Sequence, residues 1–172
     1  DNVRGKYVNK KELQKLLGLP EKSDVPVMGM VTRLVSHKGL DLCKEVLDEL
    51  LETTDIQLVV LGSGDYQYEE FFRGLAQRFP EKVGLCLGFI PDLARKIYAG
   101  ADFFLMPSKS EPCGLSQMVA LRYGTIPIVR ETGGLRDSVT DSGDGEGNGF
   151  VFSSYNARDM LFAIKRAVSG YE

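Results

Sequence analysis

The sequence predicts one α/β domain built on a doubly wound parallel sheet. Short apolar runs alternate along the chain with segments whose apolar residues recur at helical spacing, which is typical of repeated strand–helix units. The runs are nearly unbroken in apolar residues, as expected for strands that are covered on both faces. A length of 172 residues suits a single domain of this class.

Five apolar runs are the predicted strands: Val25–Val31, Ile56–Leu61, Val83–Leu87, Asp102–Met106 and Ile126–Val129. Apolar residues at spacings of three and four predict amphipathic helices between and after them, and residues 114–123 predict a further helix. The four apolar stripes are Cys43, Val46, Leu47, Leu50 and Leu51; Tyr68, Phe71, Phe72, Leu75 and Phe79; Leu93, Ala94, Ile97, Tyr98 and Ala101; and Met160, Leu161, Ile164 and Val168.

The first 24 residues are more polar and predict a separate role. Their short amphipathic stretch around Leu13, Leu16 and Leu17 is interpreted as a lead-in helix and linker outside the core. On this interpretation the domain proper covers residues 25–172. The start at Asp1, without methionine or an apolar leader, favours a fragment of a longer protein.

Composition and charge exclude several classes of partner. The chain has 21 Lys and Arg against 24 Asp and Glu, a net charge of -3, so no basic field attracts nucleic acid or an anionic membrane. Its apolar runs are far shorter than a membrane span of about 20 residues. Three cysteines without a C-x-x-C pair argue against disulfides or structural zinc and predict a reducing compartment, the cytoplasm.

Ligands of open parallel sheets bind beyond the carboxyl ends of the strands, so the loops there are the candidate site. Arg33 and Lys38 follow the first strand, where two cations and a helix start can meet an anion. Solvated surface charges are the alternative for such a pair. His37 is the sole histidine, which favours a loop residue over a general base.

Two further loops are ambiguous when taken alone. Gly62-Ser63-Gly64 follows the second strand and has a G-x-G pattern, but the third glycine of the dinucleotide fingerprint is missing. A tight strand-to-helix turn explains these glycines equally well. Phe89 follows the third strand, where its ring either stacks on a nucleobase or packs against the domain.

The last two loops suit a polyhydroxylated ligand and a phosphate. Glu111 lies just before a predicted helix start at Gly114. Its carboxylate can accept hydrogen bonds from the hydroxyls of a ligand, and the unpaired backbone N–H groups of the helix start can donate to the same hydroxyls. Cys113 is rejected as a nucleophile because no partner base is visible. Thr132 and Gly133 stand at another predicted helix start, which is either a phosphate site or a generic helix entry.

Four motifs in order carry a specific family resemblance. They are Arg33-x4-Lys38-Gly39-Leu40-Asp41, Pro107-Ser108 through Glu111-Pro112-Cys113-Gly114-Leu115, Tyr123-Gly124-Thr125-Ile126-Pro127-Ile128-Val129-Arg130, and Thr132-Gly133-Gly134-Leu135. From Val25 to Val168 the chain resembles the C-terminal, nucleotide-sugar-binding half of bacterial glycogen synthases and plant starch synthases. These are family 5 glycosyltransferases of the GT-B fold, whose C-terminal half is Rossmann-like.

The resemblance implies the chemistry of the site. Arg33 and Lys38 match the cations that hold the donor diphosphate and stabilise it as it leaves, and Phe89 matches an aromatic residue near adenine. The other matches are Glu111 beside the donor glucose, Cys113, Gly114 and Leu115 at the sugar hydroxyls, and Thr132 and Gly133 at the diphosphate. The implied reaction transfers glucose from ADP-glucose to the non-reducing end of an α-1,4-glucan, with retention of configuration and without a metal or other cofactor. The implied location is the cytoplasm in a bacterium or the plastid in a plant.

The sequence also departs from the family. The N-terminal, acceptor-side domain is absent from this chain. Val119 stands where many related GT-B enzymes have a second glutamate, which supports the glycogen and starch synthase branch because that branch lacks it too. Ser110 replaces a common aromatic residue. Alternative functions are transfer from UDP-glucose or another nucleotide sugar, and nucleotide binding without catalysis; the incomplete glycine fingerprint disfavours a dehydrogenase.

Overall fold

The structure is a computed structural model that describes residues 2–108, 122–130, 149–152 and 154–170. Its centre is a six-stranded sheet in the order β3-β2-β1-β4-β5-β6, and every neighbouring pair is parallel. The strands are β1 Val27–Val31, β2 Gln57–Gly62, β3 Val83–Leu87, β4 Phe103–Met106, β5 Ile126–Arg130 and β6 Phe150–Phe152. The predicted doubly wound sheet and its five predicted strands are confirmed, whereas β6 was not predicted.

Five α-helices accompany the strands in the described part of the chain. They are α1 Asn2–Leu16, α2 Leu40–Thr53, α3 Tyr66–Arg78, α4 Pro91–Gly100 and α5 Ala157–Ser169. The four apolar stripes predicted from the sequence lie on α2, α3, α4 and α5 or within a residue of their ends. Most of the predicted helix at 114–123 lies outside the described residues.

The sheet separates two hydrophobic clusters, which explains why its strands read as unbroken apolar runs. In β1, Met28 and Met30 face a cluster with α2, α3 and α5, whereas Val27 faces a second cluster with α1 and α4. Strands β2 and β4 alternate in the same way, so nearly every residue is buried on one side or the other. Both faces being covered is the rule for parallel sheets.

Helix α1 belongs to the second cluster, so the expectation that it lies outside the core is wrong. Leu13 is 1% exposed and Leu19, just after the helix, is 4% exposed. The helix also lies against α4 so closely that a Cβ at Gly100 would come within 2.7 Å of the carbonyl oxygen of Asn9. Burial of one leucine stabilises a fold by about 1.5–3 kcal/mol.

Polar contacts hold α1 as well. Lys10 Nζ lies 2.8 Å from the Asp102 carboxylate at the start of β4, and the two side chains are only 4% and 16% exposed. Gln14 Nε2 donates a 2.9 Å hydrogen bond to Gln57 Oε1. Lys6 donates to the carbonyl of Tyr98, and burial lowers its pKa to about 8 although the nearby Asp102 raises it. These contacts attach α1 to α4, to β2 and to the residue that precedes β4.

Candidate functional site

The loop after β1 is attached to the loop after β2 by backbone hydrogen bonds. The Leu34 N–H donates to the Ser63 carbonyl at 2.9 Å, and the Asp65 N–H donates to the Leu34 carbonyl at 2.9 Å. The Leu34 side chain is fully buried. The backbone around Arg33 is therefore fixed relative to both strands, beyond their carboxyl ends.

Gly62 and Gly64 make this close approach possible. A Cβ at Gly62 would lie 2.0 Å from the carbonyl oxygen of Thr32, and one at Gly64 would lie 2.4 Å from that of Leu34. Neither glycine has a positive φ, so neither is required by a left-handed turn. The contact between these two loops explains both glycines, and neither interpretation of the sequence included it.

Gly39 joins the same loop to the segment after β4. Its φ of +84° is left-handed, and a Cβ there would lie 2.2 Å from the carbonyl oxygen of Pro107. Both facts favour glycine. Lys38 immediately precedes this contact, so its backbone is positioned next to Pro107 and Ser108.

Between the ends of β1 and β4 lies a cavity of about 220 Å³, here called the β1–β4 cavity. From β1 the chain builds the sheet towards β3 on one side, and from β4 it builds the sheet towards β6 on the other. The point between β1 and β4 is therefore the topological switch point, where doubly wound folds bind ligands. Arg33, His37 and Lys38 supply its polar side together with Thr32 and the 3% exposed Ser108. The remaining lining residues are Met30, Val31, Leu105, Met106 and Pro107.

A second cavity of about 370 Å³ lies beyond the ends of β1, β2 and β3 and is here called the Phe89 cavity. Gly88 has a φ of +144°, and its N–H donates to the Gly62 carbonyl at 2.9 Å, which turns the chain at this point. The Phe89 ring that follows is 72% exposed. The lining is mostly apolar: Val31, Thr32, Arg33, Leu61, Gly62, Ser63, Gly88, Phe89, Ala94 and Tyr98.

The structure brings three of the predicted site residues together. Arg33 lines both cavities, Lys38 lines the β1–β4 cavity and Phe89 lines the second. The exposure of Phe89 shows that this residue does not pack inside the domain, and its contact with a nucleobase stays a prediction. The other predicted site residues, Glu111, Cys113, Gly114, Leu115, Thr132 and Gly133, lie outside the described residues.

Sequence reasoning left several lining residues unassigned. His37 was interpreted as a loop residue, yet it lines the β1–β4 cavity between Arg33 and Lys38. Its position inside the Arg-x4-Lys interval was a usable signal. Ser108 belongs to the motif that follows the fourth predicted strand, although no role was assigned to its side chain. Tyr98 was predicted only as part of an apolar helix stripe, and the packing of α4 against the sheet brings it to the Phe89 cavity.

Comparison with known proteins identifies the family. The sequence profile of the family described as glycosyl transferases group 1 matches residues 10–172. The chain belongs to this family. Two bacterial glycogen synthases are similar to this glycosyl transferase chain: that of Desulforamulus reducens is 57% identical over 99% of the chain, and that of Geobacillus thermodenitrificans is 58% identical over 96%. The chain covers 36% and 34% of those two proteins, about a third of their length.

Solved structures agree with the fold. The catalytic domain of starch synthase IV from Arabidopsis thaliana, solved bound to ADP and acarbose, matches 99% of this glycosyl transferase chain with a TM-score of 0.90 and 41% identity, and the chain covers 36% of it. Anabaena HepE in complex with UDP and glucose has a TM-score of 0.72 at 19% identity, over 95% of this chain and 43% of that one, and shows the fold alone. The predicted resemblance to glycogen and starch synthases is confirmed.

The described residues form neither a metal-binding cluster nor a helix suited to span a membrane. Residues 2–108, 122–130, 149–152 and 154–170 contain no group of three or more His, Cys, Asp or Glu side chains placed to hold a metal ion. Within the same ranges, no helix combines the length and the apolar character that crossing a membrane requires.

Proposed function

We propose that this chain is the donor-binding half of a retaining glucosyltransferase that transfers glucose from ADP-glucose to the non-reducing end of an α-1,4-glucan. The observation that carries the proposal is the place of Arg33, which lines both the apolar Phe89 cavity and the cationic β1–β4 cavity. A nucleoside and a diphosphate have this same succession of apolar and anionic parts.

The two cavities suggest where each part of the donor binds. The adenine ring stacks on the exposed Phe89 ring, since a base and an aromatic side chain attract each other face to face. Arg33 and Lys38 hold the diphosphate by charge-assisted hydrogen bonds and stabilise the charge that develops on it as the sugar leaves. Both cations serve catalysis in this way, without a metal.

Six residues beyond the described ranges complete the proposed site. Glu111 accepts hydrogen bonds from the donor glucose, and the amides of Cys113, Gly114 and Leu115 meet its hydroxyls. Thr132 and Gly133 bind the diphosphate at the helix start that the sequence predicts there, since backbone N–H groups at such a position favour an anion. The glucan acceptor binds with the help of a domain outside this chain. The similarity to starch synthase IV, whose structure contains ADP, supports an adenine nucleotide as donor.

The test is the affinity of the chain for ADP-glucose and the role of Phe89 in it. Stacking of a base on an aromatic ring contributes about 1–3 kcal/mol, so Phe89→Ala should weaken ADP-glucose binding by about five- to a hundredfold in calorimetric titration. Phe162→Ala is the matched control, because this ring on α5 is similarly exposed, at 67%, and lines neither cavity. UDP-glucose should bind more weakly than ADP-glucose; tighter binding of UDP-glucose would support the alternative donor.

A further inference from the structure

His37 stands out as a titratable group at the proposed diphosphate site. It is the single histidine of the chain, lies in the short 3-10 turn Ser36–Lys38 and is exposed to solvent. The side chain lines the β1–β4 cavity together with Arg33 and Lys38. Neither the family resemblance nor the proposed function assigns it a role.

The turn that carries His37 is held at both ends. On one side the buried Leu34 is bonded to the loop after β2. On the other side Gly39 lies in backbone contact with Pro107, at a distance that leaves no room for a Cβ. The imidazole is therefore attached to a backbone that is fixed relative to the carboxyl ends of β1 and β4.

The surroundings favour an anion over a cation. The charged groups among the described lining residues are Arg33 and Lys38, both from the same loop, and none of these residues carries a carboxylate. Strands β1 and β4 contribute Met30, Val31, Leu105 and Met106, and the segment after β4 contributes Pro107 and Ser108, none of which titrates near neutral pH. Lys109 and Glu111 follow along the chain outside the described residues.

We propose that His37 is a protonation-dependent ligand of the donor diphosphate, so that the chain binds a proton and the nucleotide sugar together. The inference rests on the proposed function. Histidine is the side chain that ordinarily changes charge between pH 5 and 8. Its imidazolium form adds a third cation and an N–H donor to Arg33 and Lys38. A bound diphosphate favours that form, and by linkage a lower pH strengthens donor binding.

ADP-glucose is the suitable probe because its diphosphate does not titrate in this range. Each phosphate is bonded on two sides and keeps one fixed negative charge. ADP carries a terminal phosphate, and groups of that kind take up their second proton near pH 6. A pH dependence measured with ADP-glucose therefore reports the protein, and His37 is its only histidine.

Calorimetric titration of ADP-glucose at pH 6 and pH 8 tests the inference. For the wild-type chain, the affinity for ADP-glucose should be about three- to tenfold higher at pH 6 than at pH 8. The lower value corresponds to an ion pair screened by solvent and the upper value to a well-formed charge-assisted hydrogen bond. H37Q should show the weaker affinity at both pH values, and H37K the stronger one at both. K15Q, which replaces an exposed lysine on α1 that lines neither cavity, should keep the wild-type profile.

Proton uptake provides an independent measurement. Wild-type titrations at pH 7 in buffers of different ionisation enthalpy should show net proton uptake on binding, and H37Q should show none. An H37Q profile that keeps the wild-type pH dependence overturns the role of His37 while leaving the proposed function intact. A wild-type chain that binds no ADP-glucose at either pH contradicts the proposed function, and the inference fails with it.

Discussion

Substitution of Lys38 best tests whether this residue binds the diphosphate or is only a solvated surface charge. It lines the β1–β4 cavity and directly precedes the contact between Gly39 and Pro107. Charge-assisted hydrogen bonds contribute about 1.5–3 kcal/mol each when well formed. Lys38→Ala should therefore weaken ADP binding by about ten- to a hundredfold, and by more at low salt, where screening is weaker.

AMP is the matched ligand for this experiment because it lacks the β-phosphate. Its affinity should change much less on the same substitution. Lys15→Ala removes an exposed lysine on α1 that lines neither cavity, and it should leave the affinity for both nucleotides as in wild type. Equal ADP affinity of Lys38→Ala and wild type, with circular dichroism showing an intact fold, would exclude Lys38 from the site.

At the scale of single residues, the sequence predicted the cations and the aromatic ring but not the reason for the glycines. Arg33, Lys38 and Phe89 were predicted from their place after strands, and the structure puts them on two cavities that share Arg33. The role of Gly62 depends on the carbonyl oxygen of Thr32, which belongs to another loop. A contact between distant segments has no local signature in the sequence.

Among the elements, α1 depends on a nearly buried ion pair. Replacing Lys10 by methionine leaves the Asp102 carboxylate, only 16% exposed, without this partner. Losing one member of a buried pair costs about 3–5 kcal/mol, and the partial exposure of Asp102 lowers the expected loss to about 2–4 kcal/mol. Urea unfolding should show this loss for Lys10→Met, and amide hydrogen exchange should accelerate along α1.

Lys11→Met is the control for this substitution. Lys11 neighbours Lys10 on the same helix but is exposed, so its replacement should change the free energy of unfolding by less than about 0.5 kcal/mol. If both variants unfolded at the same urea concentration, the ion pair would not hold α1 to the domain.

Helices and strands with regular apolar spacing were predictable, and the two departures have physical causes. The buried side of α1 includes the polar residues Lys10 and Gln14. A prediction from the spacing of apolar residues places such polar side chains in solvent. Strand β6 has only three residues, Phe150–Phe152, and follows a tract rich in glycine and aspartate. A run of three residues is too short to show the alternation of apolar and polar residues that predicts a strand. Strand β6 is recognised only by its pairing with β5.

For the molecule as a whole, we expect donor binding without turnover. The chain spans about a third of the glycogen synthases to which it is similar. Glycosyl transfer requires donor and acceptor to be held together, and the proposed site supplies only the donor side. Incubated with ADP-glucose and glycogen, the chain should release ADP no faster than a sample without protein.

A complete glycogen synthase in the same assay is the positive control, and calorimetry on the same preparation checks that the chain still binds ADP-glucose. ADP release at the rate of the complete enzyme would show that this chain also holds the acceptor. Binding of ADP-glucose without release of ADP would agree with the proposal that this chain binds the donor and another domain helps to bind the acceptor.

The contact between Gly39 and Pro107 also affects how mutational data on this chain are interpreted. Any side chain at position 39 would meet a main-chain carbonyl oxygen, 2.2 Å from the first added carbon. Because every amino acid at position 107 has that same oxygen, no exchange there compensates for a change at position 39. A scan of all single and double substitutions would therefore score position 39 as intolerant without any covarying partner, although the constraint lies far along the chain.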